Sequence, residues 1–146
     1  MKARSGFTLV EILIVVVILG ILAAIVIPQF TEASTEAKTS SLCTDLQTMR
    51  SQIELFKIQH NDNLPGWQNG TFTQHMTGYT QIDGTVVAAP GANVYGPYVQ
   101  QIPTNQFNDS AVITEDGTLG DGGGGWEYNT TTGAWHADDN AAHAAL

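Results

Sequence analysis

From Phe7 to Ile27 the chain is one apolar run, interrupted by only two strongly polar residues, Thr8 and Glu11. At a rise of about 1.5 Å per residue this run reaches roughly 32 Å as a helix, the hydrocarbon thickness of a bilayer. In hydrocarbon every backbone donor and acceptor must be satisfied within the segment, which leaves helix as the available state. Ile12, Ile14, Val15, Val16, Val17 and Ile18 would weaken a helix in water, and backbone satisfaction overrides that preference in lipid. Lys2 and Arg4 precede the run while Glu32 and Glu36 follow it, so the N-terminus is expected in the cytoplasm and the bulk of the chain across the membrane. A removable secretory signal would end in a small-x-small site; here Ala23-Ala24 runs on into Ile25-Val26-Ile27, so the segment is expected to be retained.

Glu11 is the anomaly. A carboxylate at the centre of a spanning helix costs about 2.5–3.5 kcal/mol, and less near an end. It must find a cation or snorkel to the membrane surface. An unpaired buried charge is strongly penalised, so Glu11 disfavours any placement that leaves it without a partner.

Gly6-Phe7-Thr8-Leu9-Val10-Glu11, behind a basic leader and with Pro28 closing the apolar run, resembles the type IV pilin and pseudopilin superfamily over roughly residues 1–60. The resemblance implies cleavage by a prepilin peptidase after Gly6 and N-methylation of the new terminus, Phe7. It implies that the apolar helix serves first as membrane anchor and then as the core of a helical filament. Thr8, Glu11, Gly20 and Pro28 become assembly residues. The amine created on Phe7 is a cation that Glu11 can meet within one helix or between subunits. Pro28 cannot bond the Ala24 carbonyl, and Gly20 is a poor helix former. The resemblance implies that this weak segment unwinds on packing; from the sequence alone a plain kink at the membrane surface is an equal alternative.

Past Pro28 the helix continues as an amphipathic one. Leu42, Leu46, Met49, Ile53 and Phe56 form a single stripe at spacings of three and four. Asn61-Asp62-Asn63-Leu64-Pro65-Gly66 stops it. A helix from Phe7 to about His60 spans roughly 80 Å, too long for one small globular core. Residues beyond Leu64 are rich in Gly, Thr, Asn and Asp. Short strands are expected at about residues 71–73, 80–82, 86–88, 98–101, 126–128 and 134–137. Asn129-Thr130-Thr131-Thr132-Gly133 reads as a hairpin loop between the last two. Trp126, Tyr128 and Trp135 are the expected cover of the helix stripe. The fold class is therefore α+β: a long N-terminal helix, half transmembrane and half amphipathic, on a small antiparallel sheet. The expected divisions are a leader (1–6), a transmembrane and polymerisation helix (7–28), an amphipathic helix (29–62) and a β-rich head with an acidic glycine-rich loop (63–146). The Gly96-Pro97-Tyr98-Val99 to Asn105 stretch resembles major pseudopilins of type II secretion, although Gln106-Phe107-Asn108-Asp109 departs from the turn seen in such chains.

The formal charge is −9, and beyond Lys57 there is no Lys or Arg while nine Asp and Glu remain. That excludes a Walker A lysine or an arginine phosphate clamp in the head, and makes nucleic acid an unsuitable partner. The lone Cys43 permits no internal disulfide and is expected to be a buried packing residue. Many type IV pilins carry a C-terminal disulfide, so the resemblance leans toward a pseudopilin, a class often stabilised by calcium. Glu115, Asp116 and Asp121, with Asp138 behind them, are the candidate calcium ligands; a solvated acidic loop is the plainer alternative. No cofactor is required, and no constellation of an enzyme is present. The expected function is a structural filament subunit. Its partners are copies of itself, the peptidase, the membrane, and an inner-membrane assembly platform with its ATPase. The expected location is the bacterial inner membrane, with a periplasmic head, and then a periplasmic or extracellular filament. The alternative is a membrane-tethered binding module that never polymerises.

Overall fold

The computed structural model describes residues 7–115 and 117–146. The expected leader, including Gly6, and the candidate ligand Asp116 lie outside the described residues. The chain divides between Thr39 and Ser40 into two units.

Helix α1 runs from Leu9 to Gln59, with Pro28 inside it. In the first unit its apolar side chains are all exposed, from 49% at Val15 to 83% at Leu9. The helix is long and apolar enough to cross a membrane. Pro28 leaves the Ala24 carbonyl without its usual amide donor, yet the helix runs on through it. Thr31, Thr35 and Thr39 each donate to the carbonyl four residues earlier, at 3.1, 3.1 and 3.0 Å. A hydroxyl bonded this way presents mainly its methyl group outward.

The second unit holds the core. Leu42, Leu46, Met49, Ile53 and Phe56 are the buried residues of α1. The stripe predicted from spacing is therefore the stripe that packs. Leu42 through Ile53 join Phe72, Met76, Trp126, Tyr128, Trp135 and Ala137 in one cluster. Aromatic rings set its geometry: Phe72 stacks on Trp135 with centroids 5.2 Å apart, and Trp126 on Trp135 at 5.4 Å. Arg50 ties the helix to the sheet, its Nε and Nη2 donating to the Trp135 carbonyl at 3.1 and 2.9 Å. Cys43 is half-buried rather than fully enclosed.

The α+β class holds, with a different internal arrangement from the single meander expected. Residues 71–73 are not a strand. Thr71 caps α2 (Phe72–Thr77) in a reciprocal box: the Gln74 amide donates to its hydroxyl at 3.2 Å, and its own amide to Gln74 Oε1 at 2.9 Å. A Thr-x-x-Gln pattern outweighs the β propensity of Thr and Phe here. One three-stranded sheet has the order β2-β1-β3, from β1 (Tyr79–Gln81), β2 (Val86–Val87) and β3 (Val94–Tyr95), all antiparallel. Residues 98–101 form no strand; the Tyr98 and Val99 amides both donate to the Met76 carbonyl instead, at 2.9 and 3.0 Å. The other sheet joins β4 (Ile113–Thr114), β5 (Trp126–Tyr128) and β6 (Trp135–Ala137). The β5–β6 pair is the expected hairpin, but β4 runs parallel to β5. The long glycine-rich connection between β4 and β5 makes that parallel crossing possible. The tail is ordered as α3 (Ala141–Ala144), where Asn140 Oδ1 accepts the amides of Ala142 and His143.

Candidate functional site

Two places carry chemistry, one at each end of the described chain. At the start of α1, Thr8 and Glu11 form a capping box. The Glu11 amide donates to Thr8 Oγ1 at 3.2 Å, and the Thr8 amide to Glu11 Oε2 at 3.4 Å. A third contact, from the Thr8 hydroxyl to Glu11 Oε2, is 3.5 Å long. These last two lie at the outer limit of useful hydrogen bonds. Glu11 therefore has a local resting place and is held there weakly. Phe7, 78% exposed, stands beside it. The Thr-x-x-Glu signature was present in the sequence, masked there by the more obvious charge problem. Gly20 and Pro28 both lie within the unbroken span of α1, and a Cβ at Gly20 would meet nothing within 4 Å.

At the other end, the glycine-rich loop is organised around an acid. Asp138, fully buried, accepts the Gly120 amide on Oδ1 at 2.8 Å. Its Oδ2 accepts the Gly124 amide at 2.9 Å and the Thr114 hydroxyl at 3.1 Å. The loop thus wraps a carboxylate with N–H donors, and Asp138 has little acceptor capacity left for a cation. Gly120, at φ +71°, has no room for a side chain: a Cβ would fall 2.5 Å from the Ala141 amide. Asp121 is exposed and accepts the Gly123 amide at 2.8 Å.

Alternation along β5 puts Trp126 and Tyr128 into the core and Glu127 on the opposite face. Period-two reasoning places Glu127 in solvent, yet it is 1% exposed, because the loop folds back over that face. The Gly117 amide donates to its Oε1 at 2.7 Å. Its Oε2 is buried with no hydrogen-bond partner among the described residues. Glu115, Gly117, Glu127, Tyr128, Asn129, Thr130 and Thr131 line a pocket of about 170 Å³. Of the candidate ligands from sequence, Glu115 is on this pocket and Asp121 is not. No group of three or more His, Cys, Asp or Glu suited to a metal occurs among the described residues. Nearby, burial pushes the Tyr128 hydroxyl well above its ordinary pKa, and the Glu115 charge adds to the effect.

A buried aromatic–histidine group closes the lower end of the core. His60 stacks on Phe56 with centroids 3.8 Å apart, and His75 lies over the same ring at 5.3 Å. Burial lowers the pKa of both histidines. The same burial, only partly offset by a Thr80 hydrogen bond, raises the Tyr98 hydroxyl to about 12.

An exposed apolar helix with a capped glutamate at its start, followed by a small aromatic-cored unit, fits a membrane-anchored protein of the prepilin type. The prokaryotic N-terminal methylation motif matches residues 1–27. Type II secretion system core protein G of Pseudomonas aeruginosa is 41% identical over 47% of this chain and 48% of its own length. The protein of the same name from Aeromonas hydrophila is 25% identical over 82% of this chain and 78% of its own. A fimbrial protein of Pseudomonas aeruginosa is 33% identical over 58% of this chain and 56% of its own. The chain thus spans about half the length of some relatives and about four fifths of others. No solved structure gives a significant match. Motif and relatives together make the chain similar to type IV pilins and pseudopilins, most specifically over its N-terminal helix.

Proposed function

We propose that this chain is a structural subunit of a type II secretion pseudopilus or a related type IV pilus-like filament. The observation that carries the reading is the N-terminal shaft. Its apolar side chains are exposed over the whole of residues 9–30, and its one acid is held by bonds of 3.4–3.5 Å. Such a surface needs lipid first and other subunits afterwards. Cleavage after Gly6 frees an amine on Phe7, which is methylated and offers Glu11 a charge-assisted bond in place of its weak cap. The prepilin enters the inner membrane with its N-terminus cytoplasmic and its head periplasmic. It then polymerises through α1 on an assembly platform. The energy comes from a partner ATPase, since the head carries no lysine or arginine to hold a nucleotide phosphate. The chain itself is not an enzyme.

The test is co-expression of the full chain with a prepilin peptidase. Mass spectrometry should find a methylated Phe7 at the mature N-terminus, and sheared fractions should contain filaments. A subunit that keeps its basic hexapeptide and stays solitary in membranes overturns the reading. Fibres reaching the cell surface, or confined to the periplasm, separate pilus from pseudopilus.

A further inference from the structure

We propose that Asn129 is the acceptor of an N-linked sugar, transferred from a donor that carries the sugar through its anomeric carbon on a lipid pyrophosphate. This goes beyond the filament reading and stands independently of it. Three Asn-x-Ser/Thr triplets occur in the chain: Asn69-Gly70-Thr71, Asn108-Asp109-Ser110 and Asn129-Thr130-Thr131. Such a triplet is the acceptor pattern for N-glycosylation, with the carboxamide nitrogen as nucleophile and the hydroxyl two residues on as its companion. The fold separates the three. Asn108 Nδ2 donates to the Gly124 carbonyl at 2.7 Å, and Ser110 Oγ accepts the Val112 amide at 3.2 Å. Asn69 Nδ2 donates to the Asp83 carbonyl at 3.3 Å, and Thr71 Oγ1 holds the cap of α2.

Asn129 is placed differently. It is exposed with Thr130, Thr131 and Thr132 at the tip of the β5–β6 hairpin. Backbone bonds close the loop beneath it, from the Asn129 amide to the Ala134 carbonyl at 2.9 Å and from the Gly133 amide to the Asn129 carbonyl at 2.8 Å. Asn129 Oδ1 accepts the Thr131 and Thr132 amides, both at 2.9 Å. Two N–H donors require an oxygen there, which fixes the place of the nitrogen. Neither Nδ2 nor the Thr131 hydroxyl makes a hydrogen bond among the described residues. Beside them lies the cavity of about 170 Å³ that Glu127 also lines. Glu127 Oε2 is buried and has no partner among the described residues, an acceptor that a hydroxyl of the first sugar ring can satisfy. In the transfer the Nδ2 lone pair attacks the anomeric carbon and forms the N–C bond. The C–O bond to the pyrophosphate breaks, the lipid pyrophosphate leaves with that electron pair, and a base on the transferase takes one of the two amide protons. A hydrophilic sugar at the tip keeps this face out of contacts between subunits.

The experiment isolates the full chain in detergent from the cells that make it. Its peptides are mass-measured with electron-transfer fragmentation, which leaves a sugar on the residue that carries it. Wild type should bear a sugar on Asn129 and none on Asn69 or Asn108. Asn129→Gln should lose it entirely. Thr131→Val should lose it too, while Thr131→Ser keeps it. Thr131→Val removes a hydroxyl that bonds nothing in the fold, so it tests the acceptor even if Asn129→Gln does not fold. The modified chain should also melt at a higher temperature than the same chain made in cells without the donor. An unmodified Asn129, a sugar on a threonine hydroxyl in its place, or full occupancy in Thr131→Val overturns the proposal. Equal occupancy of Asn69 or Asn108 overturns the selection by the fold, and equal melting with and without the sugar removes Glu127 as its seat.

Discussion

Residues 7–39 and the unit Ser40–Leu146 solve opposite problems with the same helix. In the first, Leu, Ile and Val cover the helix on every side as far as Ile27, and none is buried. In the second, one stripe of five is buried and the other faces are mostly polar, with Leu55 and Ile58 exposed among them. An all-round apolar surface stays satisfied only in an apolar surrounding, whereas an amphipathic one makes its own. The head can therefore be stable as a unit, while the shaft specifies an environment that the single chain does not contain. Assembly is expected to be read from the shaft and stability from the head.

The sharpest way to break that division is Glu11→Ala. Removing the carboxylate leaves a wholly apolar span that inserts at least as well. Filament yield should fall to background in sheared fractions, while membrane fractionation and head stability stay at wild-type levels. If neither wild type nor variant ever enters a filament, the tethered-module alternative takes its place. Next in size is truncation of the core. Trp135, fully buried against Phe72 and Trp126, should cost about 3–5 kcal/mol as Trp135→Ala, read by urea unfolding of the full chain in detergent. Ile18→Ala removes part of a half-exposed side chain, so the same unfolding curve should move by about 0.5 kcal/mol or less. Equal losses at the two positions would mean that the shaft does not stand apart energetically.

The difference between the regions also explains what the sequence could convey. The shaft was legible because hydropathy and the Gly-Phe-Thr-Leu-Val-Glu pattern are local. So was the stripe from Leu42 to Phe56, since helical spacing reports directly on a buried face. The Trp126–Tyr128 and Trp135–Ala137 hairpin followed from its turn chemistry: Asn129 Oδ1 accepts the Thr131 and Thr132 amides, and Gly133 takes φ +78°. What escaped notice depended on chain segments far apart in sequence. The burial of Glu127 requires Gly117 to return across β5, and the three hydrogen bonds to Asp138 require Thr114, Gly120 and Gly124 to converge. Strands of two residues such as Val94–Tyr95 leave no period to detect.

A third test concerns acid, and it acts on the head alone. His60 Nδ1 donates to the Phe56 carbonyl at 2.9 Å, so its Nε2 accepts the Thr80 hydroxyl at 3.0 Å. His75 Nδ1 accepts the Gly66 amide at 2.9 Å; protonating it would set two N–H groups face to face. Both rings are neutral in the fold, with pKa values below the ordinary 6.5 because burial penalises the charged form. The unfolded chain takes up these protons near 6.5 and the folded chain only further down. Their contribution is therefore complete above pH 6.5 and is lost as pH falls through the folded values. The melting temperature should be level from pH 8 to 7 and decline below 6.5. His75→Phe should flatten part of that decline without altering membrane insertion.

The smallest expected effect asks how far the shaft's helix survives assembly. A methyl group at Gly20 meets nothing within 4 Å, so Gly20→Ala introduces no clash in the free subunit. Glycine is worse than alanine in a helix by about 0.5–1 kcal/mol, and the free shaft should gain that amount. Circular dichroism in micelles would read it as a small rise in helix content. The effect on the filament then depends on the segment from Gly20 to Pro28. If that segment unwinds on packing, the same quantity opposes each subunit addition, and assembly should slow by a few-fold at equal subunit density. If the segment stays helical in the fibre, the alanine variant should assemble as fast as wild type or faster. A slowed assembly beside a more helical monomer would show that the glycine is kept for the assembled state, against the preference of the isolated helix.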